Sequence, residues 1–530
     1  MNGLPEVGER TVNRAFARAL ATVPDKVAYI DVDGTEWTYA QTRARSLEVA
    51  AGLVDLGVEP QGRVAIMLDN SVDFMTLAYA LGLTRRVQTP VNTAYKGSFL
   101  AHVLSDSESS VLVVEDRYTD RLRLIADEVP HLTTVVVHGG DGAALTDSRF
   151  RVLRFEDLLE SGTAIEDEAD GADLMAIMYT SGTTGLSKGV EITHVHAYTY
   201  ASREDAARPR AEDRILVVLP MFHLAGQWYG AYQSLIAQAT CVIQPAFSVS
   251  KFWGWIRDHG ITETVMLGAV AELLQQAEPR DDDADNPLQL AVMAPLASDI
   301  DRFSRRFGIQ IGAVYGMSEI GAVMFSEPEE VVPGEAGRAR SGYQLRLVDE
   351  DGADAPEGVA GELWVKPDSP LQVMRGYHGL PDKTAETVVD GWVRTGDVFK
   401  RNARGHYYFV DRRKDALRRR GENVSSFEVE RSLNEYPDVL ESAVVAVPSN
   451  LSEDDIKAVV VPRVGRQLDC AKLIEFVAER LPFFMVPRYV EVVSELPKTP
   501  TQKIQKHLLR QPIGEHVWDL ETSGITISRR

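Results

Sequence analysis

Cysteine is scarce in this chain of 530 residues: only Cys241 and Cys470 occur, and they lie far apart in the sequence. Two such residues support neither a disulfide framework nor a cysteine metal site. No run of about 18 uninterrupted apolar residues occurs, and the amino terminus MNGLPEVGER lacks the basic and apolar regions of a signal peptide. We therefore expect a cytoplasmic protein with no signal peptide and no membrane span.

Positive charge is also in short supply, because 56 Lys and Arg residues face 78 Asp and Glu residues, a net charge of −22. The long-range field of such a protein repels nucleic acid. A phosphate ligand must then be held by local donors, which favours a small metabolite as partner and argues against nucleic acid. Composition does not specify the oligomeric state, so a homo-oligomer stays open.

The most distinctive stretch is YTSGTTGLSKGV, from Tyr179 to Val190, which combines glycines, hydroxyls and a lysine. Glycines allow tight turns that bring backbone N–H groups close to an anion, while the hydroxyls and Lys188 add donors and charge. The P-loop pattern G-x-x-x-x-G-K-[ST] is not met, because Ser187 and Gly189 flank the lysine. The stretch predicts a phosphate-binding loop of another type, with a flexible surface loop as the alternative. The candidate ligands are Thr180, Ser181, Gly182, Thr183, Thr184, Gly185 and Lys188.

Short apolar runs alternate with amphipathic stretches over much of the chain, a pattern typical of α/β layers. The runs include RVAIML (63–68), SVLVVED (110–116) and RILVVLP (214–220), and one amphipathic stretch covers Phe16 to Leu56. Residues 334–410 instead carry strand-like pieces separated by glycine and aspartate turns. That section predicts a smaller, mostly antiparallel β region.

A change of pattern near residue 414 predicts a domain boundary. The charged stretch DRRKDALRRRGEN precedes helix-like FEVERSLNEYP, strand-like ESAVVAV and IKAVVVP, and helix-like AKLIEFVAERLP. We predict an α/β protein with a large N-terminal domain (1–411) of layered α/β subdomains plus a β-rich subdomain. A hinge (412–415), a small α+β C-terminal domain (416–511) and a tail (512–530) follow.

Taken in order, the motifs resemble those of the acyl-adenylate-forming superfamily, which includes acyl-CoA synthetases, firefly luciferase and peptide-synthetase adenylation domains. The wording of two motifs is most similar to carnitine-type and fatty acid CoA ligases. The resemblance implies ATP, Mg²⁺ and CoA as ligands, and a C-terminal domain that moves. The motifs that carry it are WTYAQT (37–42), TPVNTAYKG (89–97), the Tyr179–Val190 loop, PMFHLAG (220–226), YGMSEIG (315–321), GWVRTGD (391–397), VDRRKDALRRRGENVSSFEVE (410–430) and LPKTPTQKIQKHLLR (496–510).

The resemblance assigns the nucleotide contacts. Asp397 accepts hydrogen bonds from the ribose hydroxyls, with help from Arg412, and Tyr315 lies near adenine. The segment from Ala294 resembles the adenine-facing loop, although the Gly-Gly that precedes it in many members is absent. Glu319 is the ligand of the magnesium ion, which prefers hard oxygen donors. The full set of ATP or AMP contacts outside the phosphate loop is Ala294, Pro295, Tyr315, Gly316, Met317, Ser318, Asp397 and Arg412.

A carboxylate that attacks the α-phosphate of ATP brings two anions together, so a cation between them is needed. At about 4 Å and an effective dielectric constant of about 20, two unit charges interact by about 4 kcal/mol. By resemblance this cation is Lys503, although Gln502 stands where a glycine is usual. We expect Lys498 and Lys506 to be solvated residues of a basic tail. The resemblance implies that His223, in PMFHLAG, orients the acid or shapes its entrance.

The second half-reaction is implied by the same resemblance. Lys414 matches the hinge residue about which the C-terminal domain rotates, and the rotation brings the strand Arg419 to Val424 to the site. A side chain at position 421 would obstruct a pantetheine tunnel, which suits glycine. The residues assigned to the CoA tunnel are Gly421, Glu422 and Asn423.

The same resemblance implies an acyl pocket lined by Gln227, Trp228, Leu267, Gly268, Met317 and Ile320. Several neighbouring positions are small, namely Ala225, Gly226, Gly268 and Ala269, which suggests room for a bulky or ring-bearing hydrophobic acid. No carboxylate other than Glu319 is evident among these positions to pair with a quaternary ammonium, which disfavours carnitine.

We therefore expect an AMP-forming acid:CoA ligase that makes acyl-AMP and then the thioester. One alternative keeps adenylation but hands the acyl group to a separate ligase, a carrier protein or another downstream acyl-transfer protein. A luciferase-like oxygenase is a further alternative among enzymes. An inactive nucleotide-binding regulator with the same fold is the alternative outside the enzymes.

Overall fold

The computed structural model describes residues 4–160, 167–180, 187–203, 206–297, 299–349, 351–412, 417–419, 422–424, 426–449, 454–497, 504, 506–511, 513–514, 516–525 and 527. The chain folds into two units, each built from separate stretches of sequence. The large unit comprises Met1–Thr93, Val103–Tyr179 and Gly189–Asp411. The small unit comprises Ala94–His102, Thr180–Lys188 and Arg412–Arg530.

The strands of the first part of the chain are short, and most are buried. In chain order they are β1 (Val27–Ile30), β2 (Glu36–Thr38), β3 (Arg63–Met67), β4 (Val87–Pro90), β5 (Val111–Glu115), β6 (Thr134–His138), β7 (Arg151–Arg154), β8 (Leu174–Thr180), β9 (Lys188–Thr193), β10 (Arg214–Val217), β11 (Thr240–Ile243), β12 (Glu263–Met266), β13 (Leu290–Met293) and β14 (Gln310–Met317).

The remaining strands are β15 (Gly321–Ser326), β16 (Gly337–Ala339), β17 (Tyr343–Val348), β18 (Gly361–Pro367), β19 (Gly376–Tyr377), β20 (Val388–Val389), β21 (Trp392–Arg401), β22 (His406–Arg412), β23 (Leu417–Arg419), β24 (Glu422–Val424), β25 (Val439–Pro448), β26 (Asp454–Pro462), β27 (Tyr489–Val492) and β28 (Trp518–Asp519).

The α-helices connect and cover these strands. They are α1 (Val12–Thr22), α2 (Tyr39–Asp55), α3 (Val72–Leu83), α4 (Gly97–Asp106), α5 (Asp120–Arg123), α6 (His194–Ala201), α7 (Leu224–Gly226), α8 (Gln233–Ala237), α9 (Phe252–Asp258), α10 (Gly268–Gln276), α11 (Ile300–Phe307), α12 (Pro381–Thr387), α13 (Ser426–Asn434) and α14 (Cys470–Ala478). Within the described residues, no helix is both long enough and apolar enough to cross a membrane.

The larger sheet of the large unit has the strand order β17-β18-β21-β22-β16-β15-β14-β13-β12-β10-β11-β1-β2, with β20 beside β21. The strands from β1 through β11, β10, β12 and β13 to β14 pair in parallel. Antiparallel pairs then add β15, β16 and β22, and also join β17, β18 and β21. The predicted combination of α/β layers with a β-rich region is confirmed.

The second sheet has the order β19-β9-β8-β4-β3-β5-β6-β7. One apolar cluster contains buried residues of both sheets, such as Ile66 of β3 and Val217 of β10, together with Phe16 of α1 and Trp228. The main core of the large unit therefore lies between its two sheets.

The amphipathic stretch from Phe16 to Leu56 differs from its predicted form as a single segment. It contains α1, then the hairpin of β1 and β2, and then α2. A turn with Gly34 at φ +88° reverses the chain between the strands, and the side chain of Thr38 begins α2 by accepting from the backbone N–H of Gln41. Local turn and capping signals therefore override the longer apolar periodicity.

The small unit contains the hairpin of β23 and β24 and a sheet with the order β25-β26-β27-β28. Strand β28 brings tail residues onto this sheet, since Tyr489 and Val490 pair with Asp519 and Trp518. Arg488 strengthens the attachment, with Nε 3.2 Å from Asp519 Oδ1 and Nη1 2.9 Å from Asp455 Oδ2.

One expectation for the small unit was wrong. Lys506 is not a solvated tail residue: its side chain is 19% exposed, and its Nζ lies 2.6 Å from Glu430 Oε1. The ion pair connects the segment around Lys506, shortly before the tail, to Glu430 of α13.

A histidine is held between two carboxylates at the carboxyl ends of β5 and β6. His138 Nδ1 lies 3.1 Å from Glu115 Oε2, and its Nε2 lies 3.1 Å from Asp73 Oδ2. The hydrogen bonds to Asp73 and Glu115 raise the pKa of His138 from its ordinary value of 6.5 to about 10, against the opposing effect of burial. The imidazole is therefore a cation that links α3 to the second sheet.

Replacement of this histidine tests the link. The folded-state pKa lies above the unfolded value, so the stabilisation is fully present below about pH 6.5 and is lost as pH rises through about 10. We expect His138→Gln to lower the free energy of unfolding by about 2 kcal/mol near pH 6 and by much less above pH 10, measured by urea denaturation. The exposed His131 provides the control variant His131→Gln. An equal loss at both pH values would contradict a charged His138.

Candidate active site

Parallel strands of the larger sheet gather most of the predicted residues of the large unit at one edge. Strands β10, β12, β13 and β14 run in the same direction, so their carboxyl ends meet at that edge, where open α/β sheets bind ligands. Predicted residues follow each strand in turn: His223 after β10, Leu267 and Gly268 after β12, Ala294 and Pro295 after β13, and Ser318 and Glu319 after β14.

Backbone hydrogen bonds tie the loops after β12 and β13 together. The N–H of Gly268 donates to the carbonyl of Pro295 at 3.1 Å, and the N–H of Ala294 donates to that of Met266 at 3.2 Å. A Cβ at position 268 would lie 2.9 Å from Leu296 O and Ala297 N. Glycine is needed here because the second loop occupies that space.

Gly226 is constrained in the same way, since a Cβ there would lie 2.4 Å from the carbonyl oxygens of Leu219 and Pro220. The small size of Gly226 and Gly268 therefore reflects close backbone packing. This corrects the interpretation of these two positions as space for a bulky acid.

The turn between β14 and β15 presents Ser318 and Glu319, both 7% exposed, followed by the fully buried Ile320. The pairing shifts register between Tyr315 and Gly316, which marks a β-bulge. A Cβ at position 316 would lie 2.4 Å from Gly321 O. The absence of a side chain at Gly316 therefore lets the two strands approach closely at the base of the turn.

The carboxylate of Glu319 has a partner that the sequence motifs did not indicate. Tyr377 donates its hydroxyl to Glu319 Oε1 at 2.9 Å, and the N–H of Met374 donates to the Glu319 carbonyl at 2.8 Å. Burial, together with the nearby Glu319 carboxylate, raises the pKa of Tyr377 well above its ordinary value. The phenol therefore keeps its proton and orients a carboxylate whose hard oxygens suit Mg²⁺.

Tyr315 and Asp397, predicted from separate motifs, lie together. The hydroxyl of Tyr315 donates to Asp397 Oδ2 at 2.7 Å, and Asp397 is only 3% exposed. The ring of Tyr315 packs edge-on against Phe399, with centroids 4.8 Å apart. Arg412 ends β22, and its side chain lies outside the described residues.

A local irregularity in β21 positions Asp397. The pairing between β18 and β21 jumps from Trp364↔Arg394 to Glu362↔Val398, so residues 395–397 form a bulge. Gly396 adopts φ +75°, which favours glycine, and its N–H donates to Glu362 Oε1 at 3.1 Å. The bulge interrupts the alternation of the strand at Asp397.

The segment after β10 contributes His223 and the predicted acid-binding residues. His223 is exposed and caps α7, with its Nδ1 accepting from the N–H of Ala225 at 3.5 Å. Gln227 is buried, and its Nε2 donates to Oε1 of Gln88 on β4 at 2.6 Å. Trp228 is fully buried and meets the ring of Tyr200 edge-on at 6.0 Å.

Partly exposed apolar side chains converge at the same edge of the sheet. Ala225, Leu267, Ala294 and Tyr200 all pack, partly buried, against one apolar cluster that includes Tyr229 and Val265. Tyr200 and Met317 also lie at the margin of the main core, to which Trp228 and Ile320 belong. Tyr200 thus links the two clusters, although no sequence motif pointed to it.

The predicted phosphate loop is described at its ends, because Ser181, Gly182, Thr183, Thr184 and Gly185 lie outside the described residues. Thr180 ends β8, and the half-buried Lys188 begins β9. In the small unit, His102 Nε2 lies 2.7 Å from the carbonyl oxygen of Ser187. His102 is therefore a support of this loop that the motifs did not indicate.

Gly189 has a packing role. A Cβ there would lie 2.6 Å from Ile177 Cγ2 and 3.1 Å from Tyr179 Cζ. Tyr179 in turn donates its hydroxyl to Asp106 Oδ2 at 2.6 Å. Glycine at this position lets β9 lie close to the side chains of β8.

Several predicted residues of the small unit lie outside the described part of the chain, namely Lys414, Gly421 and Lys503. Glu422 and Asn423 belong to β24, where the structure describes their backbone. The roles assigned to these five residues stay predictions.

Two family models match the chain. The model described as AMP-binding enzyme matches residues 16–378, and the model described as AMP-binding enzyme C-terminal domain matches residues 428–503. The two matches cover most of the chain; Asp397 and residues 412–423 lie between them.

Similar curated proteins are ligases of different acids. The chain is 30% identical over 497 residues to an indoleacetate–CoA ligase of Aromatoleum aromaticum, covering 92% of this chain and 95% of the relative. It is 27% identical over 489 residues to a crotonobetaine/carnitine–CoA ligase of Salmonella paratyphi A, covering 90% and 93%. It is also 30% identical over 510 residues to a fatty acid–[acyl-carrier-protein] ligase of Streptomyces coeruleorubidus, covering 92% of each.

Solved structures show the same fold. An amide bond synthetase from Marinactinospora thermotolerans is 26% identical, with a TM-score of 0.82 over 93% of this chain and 99% of that one. A fatty acyl CoA synthetase from Mycobacterium tuberculosis is 27% identical, with a TM-score of 0.69 over 94% and 98%.

Two glycines of β14 form a matched pair of variants. A Cβ at position 316 would meet backbone at 2.4 Å, whereas one at position 312 would lie 3.4 Å from its nearest neighbour, Ser326 O. We expect Gly316→Ala to lower the free energy of unfolding by about 2 kcal/mol and Gly312→Ala to change it by less than about 1 kcal/mol, measured by urea denaturation. Equal effects would show that the turn does not depend on the close approach at Gly316.

Proposed function

The chain belongs to the family of AMP-binding enzymes, and we propose that it activates a carboxylic acid with ATP and then transfers the acyl group to CoA. The observation that carries the proposal is the meeting of Tyr315 and Asp397 beside the Glu319 turn, at the carboxyl ends of parallel strands. A buried carboxylate with a fixed aromatic neighbour suits a nucleoside, and a second buried carboxylate suits the cation of its phosphates.

In the first half-reaction, an oxygen of the acid attacks the α-phosphorus of ATP, and the bond to pyrophosphate breaks. Asp397 and Arg412 hold the ribose hydroxyls, and Tyr315 and the loop from Ala294 hold adenine. The phosphate loop and Lys188 hold the triphosphate. Lys503 supplies positive charge between the carboxylate and the phosphate, where charge develops in the transition state.

Glu319 is the proposed ligand of Mg²⁺. The ion prefers octahedral oxygen donors and is commonly bound by one or two carboxylates together with phosphates and water. The Tyr377 hydroxyl fixes one carboxylate oxygen of Glu319, so the donor is oriented before a cation arrives. Bound Mg²⁺ would neutralise charge on the phosphates.

In the second half-reaction, the sulfur of CoA attacks the acyl carbon, AMP leaves, and the thiol proton passes to solvent or a base. We assign the hinge to Lys414 and the tunnel for the pantetheine arm to Gly421, Glu422 and Asn423. Rotation of the C-terminal domain about this hinge would let one acid pocket serve two different transition states.

The acid is proposed to be hydrophobic, with a bulky or ring-bearing group. Support comes from the partly exposed apolar side chains of Tyr200, Ala225 and Leu267, which share one cluster, and from the nearby rings of Trp228 and Tyr229. Apolar pockets with a few polar groups are the usual sites for such ligands. His223, at the exposed start of α7, would orient the acid carboxylate.

A second candidate keeps adenylation and changes the acyl acceptor. Similarity to an acyl-carrier-protein ligase and to an amide bond synthetase favours it, because both are comparable to this chain over nearly its whole length. A carrier-protein thiol or an amine would then replace CoA. The two candidates differ only in the nucleophile of the second step.

An acid panel with ATP and Mg²⁺, with and without CoA, tests the proposal. We expect AMP and pyrophosphate with aryl-acetic or medium-chain acids, and acyl-CoA by mass spectrometry only when CoA is present. Accumulation of acyl-AMP regardless of CoA would favour the second candidate. Carnitine and crotonobetaine belong in the panel, since turnover of these acids alone would contradict the hydrophobic class.

Removal of the proposed catalytic cation separates the half-reactions. We expect Lys503→Ala to lower pyrophosphate release about 10²- to 10³-fold, because no ammonium then offsets the two anions. Formation of acyl-CoA from supplied acyl-AMP should be largely retained. Lys498→Ala, in the same segment, is the control. Pyrophosphate release at the wild-type rate in Lys503→Ala would show that another group carries this role.

A further inference from the structure

The segment that follows Lys503 is anchored to α13 by Lys506. The Nζ of Lys506 lies 2.6 Å from Glu430 Oε1 and 2.7 Å from Ser426 Oγ. The side chains of Lys506 and Glu430 are 19% and 14% exposed, so water screens the pair only in part. A half-buried ion pair with a second hydrogen bond holds its partners in a defined geometry.

Glu430 is itself held in place. The N–H of Val444, on β25, donates to the same oxygen of Glu430 at 2.7 Å. The hydroxyl of Ser442 lies 3.3 Å from the carbonyl oxygen of Glu430. The acceptor of Lys506 is thus held by β25 of the small unit, and the ammonium meets an oriented carboxylate.

Neighbouring residues attach to the same sheet by different contacts. Ile504 and Leu509 pack, partly buried, against the apolar cluster of Ala443, Val459, Val461 and Leu496. The Nζ of Lys457 donates to the carbonyl of Leu509 at 3.3 Å. The chain just after Lys503 is therefore held by apolar packing and by two lysines.

These anchors hold the chain that directly follows position 503, at Ile504, Lys506 and Leu509. Lys503 precedes Ile504 directly and Lys506 by three residues, and three residues span at most about 10 Å. The Lys506 ion pair is a side-chain anchor three residues after Lys503. A displacement of about 1 Å in a reacting group can cost about 100-fold in rate.

Ser426 gives the anchor a second connection. It begins α13 and is separated from β24, the strand proposed for CoA binding, by residue 425 alone. Lys506 thus ties the segment proposed for adenylation to the helix that follows the strand proposed for thioester formation.

We infer that Lys506 is a positioning residue for the adenylation step. Its ion pair with Glu430 holds the segment that follows Lys503 and thereby helps to position the Lys503 ammonium. The inference rests on the proposed function, because it assigns a partner to the lysine of the first half-reaction. Lys506 does not contact substrate in this role, and its ammonium is used to hold the backbone.

The test compares Lys506→Ala with Lys506→Arg and with the control Lys472→Ala. Lys472 is 72% exposed and belongs to α14 of the same unit. We expect Lys506→Ala to lower kcat for acyl-AMP formation about 10- to 100-fold, with KM for ATP changed less than about threefold. Acyl-CoA formation from supplied acyl-AMP should stay near wild type, Lys506→Arg should recover much of the loss, and Lys472→Ala should behave as wild type.

The outcomes separate the possible roles. Equal losses in both half-reactions with a lower Tm would show that Lys506 only stabilises the unit, and would overturn the inference. Should Lys506→Ala not fold, Glu430→Gln, which keeps size and removes charge, must show the same selective loss of adenylation. Wild-type protein that forms no AMP with any acid overturns the proposed function. Wild-type adenylation that both Lys506→Ala and Glu430→Gln leave intact overturns the inference alone.

Discussion

Parallel pairing of β10, β12, β13 and β14 is the constraint on which the candidate site of the large unit depends. Parallel strands deliver their connecting loops to one edge, so residues separated by nearly a hundred positions meet there. The loops are then fastened to each other by backbone hydrogen bonds and by close approaches at glycine. Without the common strand direction, His223, Leu267, Ala294 and Glu319 would be distributed between opposite ends of the sheet.

The two carboxylates of the site share a mode of support. Asp397 accepts from the phenol of Tyr315, and Glu319 accepts from the phenol of Tyr377. A neutral donor orients a carboxylate and leaves its negative charge in place. A lysine or arginine would orient the carboxylate and also offset its charge. The two phenols therefore orient these carboxylates without adding positive charge of their own.

Much of this arrangement could be predicted from sequence, and the exceptions have physical reasons. Apolar runs marked β3, β5 and β10, and motif order marked Tyr315, Glu319 and Asp397 as parts of one site. Tyr377 and Tyr200 were missed because their partners come from distant segments that only the fold brings together.

The interpretation of Lys506 failed for the same reason. A basic residue in a charged tail is usually solvated, and its carboxylate partner lies on a helix far earlier in the chain. Gly226 and Gly268 show a different limit: composition reveals that a residue is small, but only coordinates reveal whether the space beside it is open or filled by backbone.

The backbone packing at Gly226 and Gly268 also sets limits on how the enzyme could evolve or be engineered toward other acids. Side chains cannot be introduced at these two positions without displacing main chain, so substitution of either glycine is not a means of changing the acid specificity. Substitutions are tolerated better at the partly exposed positions Tyr200, Ala225 and Leu267. There a change of side chain alters the surface proposed to contact the acid and leaves the strands in place. Relatives with different acids could then differ at a small set of side chains on a shared backbone, and a library aimed at new specificity would best begin there.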